Sequence, residues 1–172
     1  MNRPAIAAVI AAALMAAVLA WEASHGGVVS HHLLAREDLP SVSNWWGLLT
    51  FPALAWFLMH RVERRLAGEP HTQGKVLAGF ALALLFGAAL SAFFRSSWPE
   101  MCGYMVLALP LVALAYPIYR AQCVLGFVTG MCFVFGPILP MIAATIFATA
   151  GALLYLIPRR LIALVGGRRS HA

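Results

Sequence analysis

The chain has 172 residues, 62% of them hydrophobic and 10% charged, with a mean hydropathy of +0.84, whereas an ordinary soluble domain carries about 25% charged residues. Those values exclude a water-soluble fold. Twelve basic against six acidic residues give a net charge of +6, but the charges sit in short clusters between long apolar runs, which is the pattern of membrane-protein loops and not of a nucleic-acid-binding surface.

About 20 apolar residues cross a bilayer, so this length allows five or six crossings and no separate soluble domain. The first run, 4–21, contains only Ala, Ile, Val, Leu and Met between its ends. It is longer than a usual signal core and reads as a retained first span. The second, 45–59, is short and carries Pro52, with Trp45 and Trp46 at one end and His60 and Arg61 at the other as interfacial anchors. The third, 76–94, is the cleanest span and ends at Arg95. The fourth, 101–116, closes before Pro117 and Arg120. The apolar stretch 121–157 is far longer than a bilayer is thick, so Gly136, Pro137 and Pro140 are expected to break it into spans 122–135 and 138–157.

Charge orients these spans. With both termini inside, the inner segments hold Arg3, Arg61, Arg64, Arg65, Lys75, Arg120, Arg159, Arg160, Arg168 and Arg169, leaving only Arg36 and Arg95 outside. A five-span arrangement would carry the four C-terminal arginines across the membrane, against the positive-inside tendency. The sequence therefore predicts a single all-α integral membrane domain. It is a bundle of six short transmembrane helices with both termini cytoplasmic and a long first outer loop that is partly helical. The Ala, Arg and Gly usage and small size suit a bacterial inner membrane.

Acidic residues show the opposite bias: Glu22, Glu37, Asp38 and Glu100 fall outside, and only Glu63 and Glu69 inside. The outer set coincides with His25, His31 and His32. If the first helix continues past Trp21, then Glu22, His25, Val29, His32 and Arg36 follow three-or-four-residue steps and share one face, although Gly26 and Gly27 oppose such a continuation. Neutral imidazoles and a carboxylate are competent ligands of a divalent transition metal such as zinc or iron, which makes Glu22, His25, His31 and His32 the candidate metal set. The catalytic candidates are Glu22, His25, His32, Asp38 and Glu100. Arg95, Trp45, Trp46 and Trp98 are the candidate substrate contacts, from the short second outer loop and the start of the second span. The competing readings are a solvated, headgroup-facing loop, an aromatic belt, and Ser43 or Asn44 acting only as a helix cap. Ser24 beside His25 is a weak nucleophile-and-base signal, because adjacent helical residues diverge.

Cys102, Cys123 and Cys132 lie in or at the edge of spans and read as small apolar residues, not as a disulfide framework. Gly126 and Gly130 form a Gly-x3-Gly pattern suited to close helix packing, within the bundle or between subunits of a homo-oligomer or larger membrane complex. The layout of six short spans with an alanine-rich first helix and a long first outer loop resembles the substrate-capturing membrane subunits of vitamin transporters. That resemblance implies ligand binding near the outer face and carries no particular residues over. The functional expectation is a metal-assisted membrane enzyme acting on a lipid or amphipathic substrate at the outer interface. The alternatives are a substrate-binding or transport component, or an accessory subunit without chemistry. A lack of charges deep in the spans speaks against an ion channel.

Overall fold

Asn2 begins the first helix by accepting a hydrogen bond on its side-chain oxygen from the amide of Ala5 at 3.1 Å, with Pro4 in the first turn, where its missing N–H costs nothing. In the computed structural model, which describes residues 2–28, 30–32, 41–96, 98 and 100–168, this helix is α1 (Arg3–Ser24). Five more follow: α2 (Gly47–Gly68), α3 (Gln73–Arg95), α4 (Glu100–Ala115), α5 (Ala121–Phe135) and α6 (Ile138–Arg168). The fold is thus all-helical in its packing. The first long loop adds two three-residue strands, β1 (Ser30–His32) and β2 (Ser41–Ser43), paired antiparallel with His31 opposite Val42, and a 3-10 turn over Asn44–Trp46.

Three helical stretches, Arg3–Ser24, Pro70–Arg95 and Ile138–Ala163, are long and apolar enough to cross a membrane. Their outsides are as apolar as their insides. Helix α1 buries a stripe of Ala11, Met15 and Leu19 at four-residue steps, while Ile6, Val9, Ile10 and Leu14 are exposed. Leu82 and Leu85 of α3, Leu107 and Leu111 of α4 and Ile146 and Leu153 of α6 are exposed in the same way. Continuous apolar surface on this scale needs a lipid or protein neighbour.

Helix α5 is the centre of the bundle, packed against α2, α3 and α6, and it buries Gln122, Cys123, Leu125, Gly126, Phe127, Val128, Met131 and Cys132. Helices α1 and α2 form a second close pair, and α4 packs on α6. The α3–α5 seam is made by small residues. A Cβ on Gly126 would strike the carbonyl oxygen of Phe80, one on Gly130 that of Leu84, and one on Gly87 would come within 2.6 Å of the Phe127 carbonyl. The Gly-x3-Gly pattern of α5 therefore packs inside the bundle, against the backbone of α3 between Phe80 and Ala88.

The expected break after α5 is present at Gly136 and Pro137. Gly136 adopts φ +64°, where a Cβ would be strained. Pro140 does not contribute to the break: it lies in the first turn of α6, whose amides have no intrahelical partner in any case. Two helices outrun the expected apolar spans. Helix α2 continues to Gly68 because its charged second half still buries Val62, and α6 passes through Pro158.

Helix ends alternate between two poles. At the first, Glu22 of α1 meets Asn44 before α2, Gly136 after α5 abuts the same Asn44, and Arg95 at the end of α3 shares a pocket with Glu22. At the second, Arg159 of α6 donates to the Leu114 carbonyl of α4 at 3.1 Å, Tyr119 meets Tyr155 edge-on at 5.8 Å, and Tyr116 reaches Gly79 of α3.

Gly126→Val is expected to force α3 and α5 apart at the cost of overpacking, about 1–3 kcal/mol. Gly103→Ala, inside α4 where nothing lies within 4 Å of the added methyl, should keep stability or raise it by up to about 1 kcal/mol. Thermal melts of the two purified variants in one detergent check the contrast, and equal melting temperatures would refute the seam as the main packing constraint.

Candidate functional site

The site begins with the way α1 stops. Gly26 and Gly27 both take positive φ, +115° and +106°, and the Glu22 carbonyl accepts the amides of His25 and Gly27, each at 3.0 Å. The helix therefore ends at Ser24. The continuation that would have aligned His32 and Arg36 with Glu22 and His25 does not form, and His32 stands in strand β1. The cause is the paired glycines, which make the left-handed backbone easy and continued helix costly.

The end of α1 holds His25 firmly. Its ring stacks on Trp21 with centroids 3.8 Å apart, and its Nδ1 lies 2.9 Å from both the Trp21 carbonyl oxygen and Ser24 Oγ. Ser24 Oγ also donates to the Trp21 carbonyl at 2.8 Å. With Nδ1–H donating into this set, the neutral ring keeps its free lone pair on Nε2, the form suited to accepting a proton or ligating. Ser24 and His25 do meet, contrary to the sequence expectation, because the helix ends between them. Ser24 directs its own proton to the backbone, and in this arrangement it positions the ring.

Glu22 is half-buried, and its Oε1 accepts from Asn44 Nδ2 at 2.6 Å. Asn44 is only 4% exposed. Its other flank is closed by Gly136, where any Cβ would strike Asn44 Oδ1, and one turn along α2 a Cβ on Gly47 would come within 2.6 Å of Pro137 and 2.8 Å of Met15. Three chain segments thus converge on one buried amide. Asn44 joins the bundle where the sequence offered it as a helix cap, and the capping falls to Ser43, whose Oγ accepts from the Trp45 amide at 3.4 Å.

Beside this junction lies a pocket of about 230 Å³ lined by Val18, Trp21, Glu22, His25, Gly27, Arg95, Phe133 and Val134. It brings together Glu22, His25 and Arg95, three of the residues singled out in the sequence, from α1 and α3. Other candidates lie apart. Glu100 is exposed in the first turn of α4, where its charge complements the helix dipole. Trp45, Trp46 and Trp98 are 61%, 62% and 67% exposed and do not line the pocket. Asp38 lies outside the described residues, as do the side chains of His31 and His32. Among the described residues, no three His, Cys, Asp or Glu side chains gather closely enough to hold a metal ion. The three cysteines are free: Cys102 Sγ lies 3.5 Å from the Leu90 carbonyl, and Cys132 Sγ lies 4.0 Å from Met15 Sδ.

Sequence reasoning missed the apolar walls, Val18, Phe133 and Val134. It also missed a second cavity of about 430 Å³ between α3, α4, α5 and α6. The walls carry no signal distinguishable from ordinary span residues. Asn44 did carry one, as an amide directly before an apolar helix.

Asn44→Leu removes the buried donor to Glu22 and should lower stability by about 1–3 kcal/mol. Asn44→Asp sets a second carboxylate against Glu22, so its loss should be larger at neutral pH and shrink as acid protonates one of the pair. Melting curves across pH check both, and a pH-independent N44D loss would show that the carboxylates do not meet.

Compared with models of known families, with curated proteins and with solved structures, the chain matches none of them.

Proposed function

We propose that the chain is a polytopic membrane enzyme that acts on the polar head of a lipid or similar amphiphile in the pocket formed by Glu22, His25 and Arg95. The observation that carries this reading is the convergence of a carboxylate, an imidazole and a guanidinium beside the apolar residues Val18, Phe133 and Val134. At about 230 Å³ the pocket is smaller than the roughly 300–1,000 Å³ of ordinary ligand sites. It suits a headgroup whose hydrocarbon stays in the surrounding bilayer. Arg95 supplies donors for an anionic oxygen, and His25, with Nε2 as acceptor, supplies a general base. Glu22 holds the pocket wall through Asn44 and contributes negative charge beside the imidazole.

All six helices cross the membrane in this reading, with both termini cytoplasmic and the first pole outside, in a bacterial inner membrane. Alternating helix ends support six crossings. So does charge: Arg61, Arg64, Arg65, Lys75, Arg120, Arg159 and Arg160 cluster toward the second pole, while Arg95 stands at the first. Helix α5 rises only about 22 Å over its 15 residues, less than the roughly 30 Å hydrocarbon core. Its central position removes the conflict, because a helix sheathed in protein need not match the lipid thickness. A second reading, ligand binding without turnover, is favoured by the tie between Glu22 and the buried Asn44, which makes that carboxylate structural.

Topology is checked with single cysteines in a cysteine-free background: Lys75→Cys and Arg160→Cys should share one side in intact cells, and Trp98→Cys the other. Labelling of Arg160→Cys together with Trp98→Cys would refute six crossings. For the site, His25→Ala should remove turnover of membrane lipids, read as a change in the lipid composition of expressing cells, while Arg95→Gln should weaken retention of the copurifying amphiphile. Retention lost in Arg95→Gln with lipid composition unaffected by any variant would leave the binding reading, and no effect of either substitution would end both.

A further inference from the structure

The larger cavity lies away from the first pole, between α3, α4, α5 and α6, and its walls are apolar: Ala83, Phe86, Met105, Leu109, Phe127 and Phe147. At about 430 Å³ it falls within the range of ordinary ligand sites. Two further wall residues, Leu82 and Val112, are 65% and 46% exposed, so the rim reaches the bundle's outer surface and opens toward the hydrocarbon.

Only the end near the second pole is polar. There Tyr116 and Cys123 join the lining, and Gly79 makes the room: a Cβ on it would lie 2.6 Å from Tyr116 Oη, 3.3 Å from Gln122 Cγ and 3.4 Å from Cys123 Sγ. Gln122 is 3% exposed, and its Nε2 has no hydrogen-bond partner among the described residues. Arg65 Nη1 is also buried without a partner there, while its Nε lies 3.7 Å from Glu69. Arg120 stands at the same end: its carbonyl accepts the amide of Cys123 at 2.9 Å, and Ile118, two residues before it, also lines the cavity. A cation and a buried amide without a partner beside the polar end of an apolar cavity are a combination that a hydrocarbon alone does not complement.

We propose that this cavity holds one acyl chain of an anionic phospholipid drawn from the cytoplasmic leaflet, with the phosphate at the second pole beside Arg120. The chain fills the apolar walls, and the phosphate oxygens offer acceptors to the Arg120 guanidinium. A choline headgroup would bring a cation toward Arg120, so the site discriminates between headgroups of one leaflet. The proposal is independent of the outer pocket and of any turnover there.

The test uses the full chain reconstituted in vesicles of phosphatidylcholine and phosphatidylglycerol in equal parts, extracted gently and weighed by native mass spectrometry. One phosphatidylglycerol per chain should be retained over phosphatidylcholine by about tenfold, the effect of one charge-assisted hydrogen bond. Ala148→Trp and Ala108→Trp, which fill the cavity from α6 and from α4, should abolish retention while their melting curves show a folded bundle. Arg120→Gln should keep a bound lipid but bring the two headgroups to parity. No retained lipid, equal retention of both by the unaltered chain, or retention surviving both tryptophan variants would overturn the proposal. Displacement of the lipid by inorganic phosphate alone would overturn it too, by reducing the site to an anion site without a chain.

Discussion

Everything in this bundle is arranged around a helix that two glycines allow to come very close to its neighbour. In a bilayer the lipid tails are as apolar as the side chains, so helices gain nothing by hiding from them and associate through close packing instead. Gly126 and Gly130 on α5 face backbone carbonyls of Phe80 and Leu84 on α3, and Gly87 returns the contact to Phe127. With the axes drawn together, Met131 packs beside Gly87 in the same seam, and Leu125 and Val128 of α5 are buried within the bundle. A short helix can then serve as the core, because it presents little backbone or side chain to lipid.

The position of α5 also fixes the pocket at the first pole. The helix must end within the bundle, and it ends at a residue with positive φ that lies against Asn44. Asn44 in turn donates to Glu22, so the turn after α5, the entry to α2 and the last turn of α1 are tied at one amide. A buried polar group is costly unless its bonds are made; here they are made between segments far apart in sequence, so the junction specifies one arrangement of helices. Glu22 then reaches the pocket with its direction already set. His25 is set separately, by the stack on Trp21 and the bonds at the end of α1.

Much of this was legible in the residues. Periodicity and hydropathy located six helices, the proline and glycine after Phe135 located the break, and the opposite biases of acidic and basic residues placed Glu22, His25 and Arg95 at one end, where they share a pocket. What could not be read was anything that depends on which helix lies beside which. The central role of α5 is an example: its composition is close to that of α4, and it is the close approach of its glycines to the backbone of α3 that sets it apart. His32 was misplaced for a local reason. A face drawn through Glu22, His25 and His32 assumes continued helix, and two glycines with positive φ were enough to end it.

The two cavities illustrate how a membrane bundle divides its chemistry. Polar side chains are tolerated near the helix ends, where solvent and headgroups lower the cost of desolvation, and both polar clusters lie there, at opposite poles. The first has mixed charge, with Glu22 facing Arg95 across a small pocket, so it can balance a ligand's charge and move a proton. At the second, Arg120 and the buried Gln122 stand beside the polar end of a cavity whose walls are otherwise apolar. Mixed charge beside a small pocket and a cation beside a long apolar cavity are two different chemical environments. The same constraint produces both: a helix core packed through glycine leaves the bulky residues to build walls, and the polar groups are left only the ends.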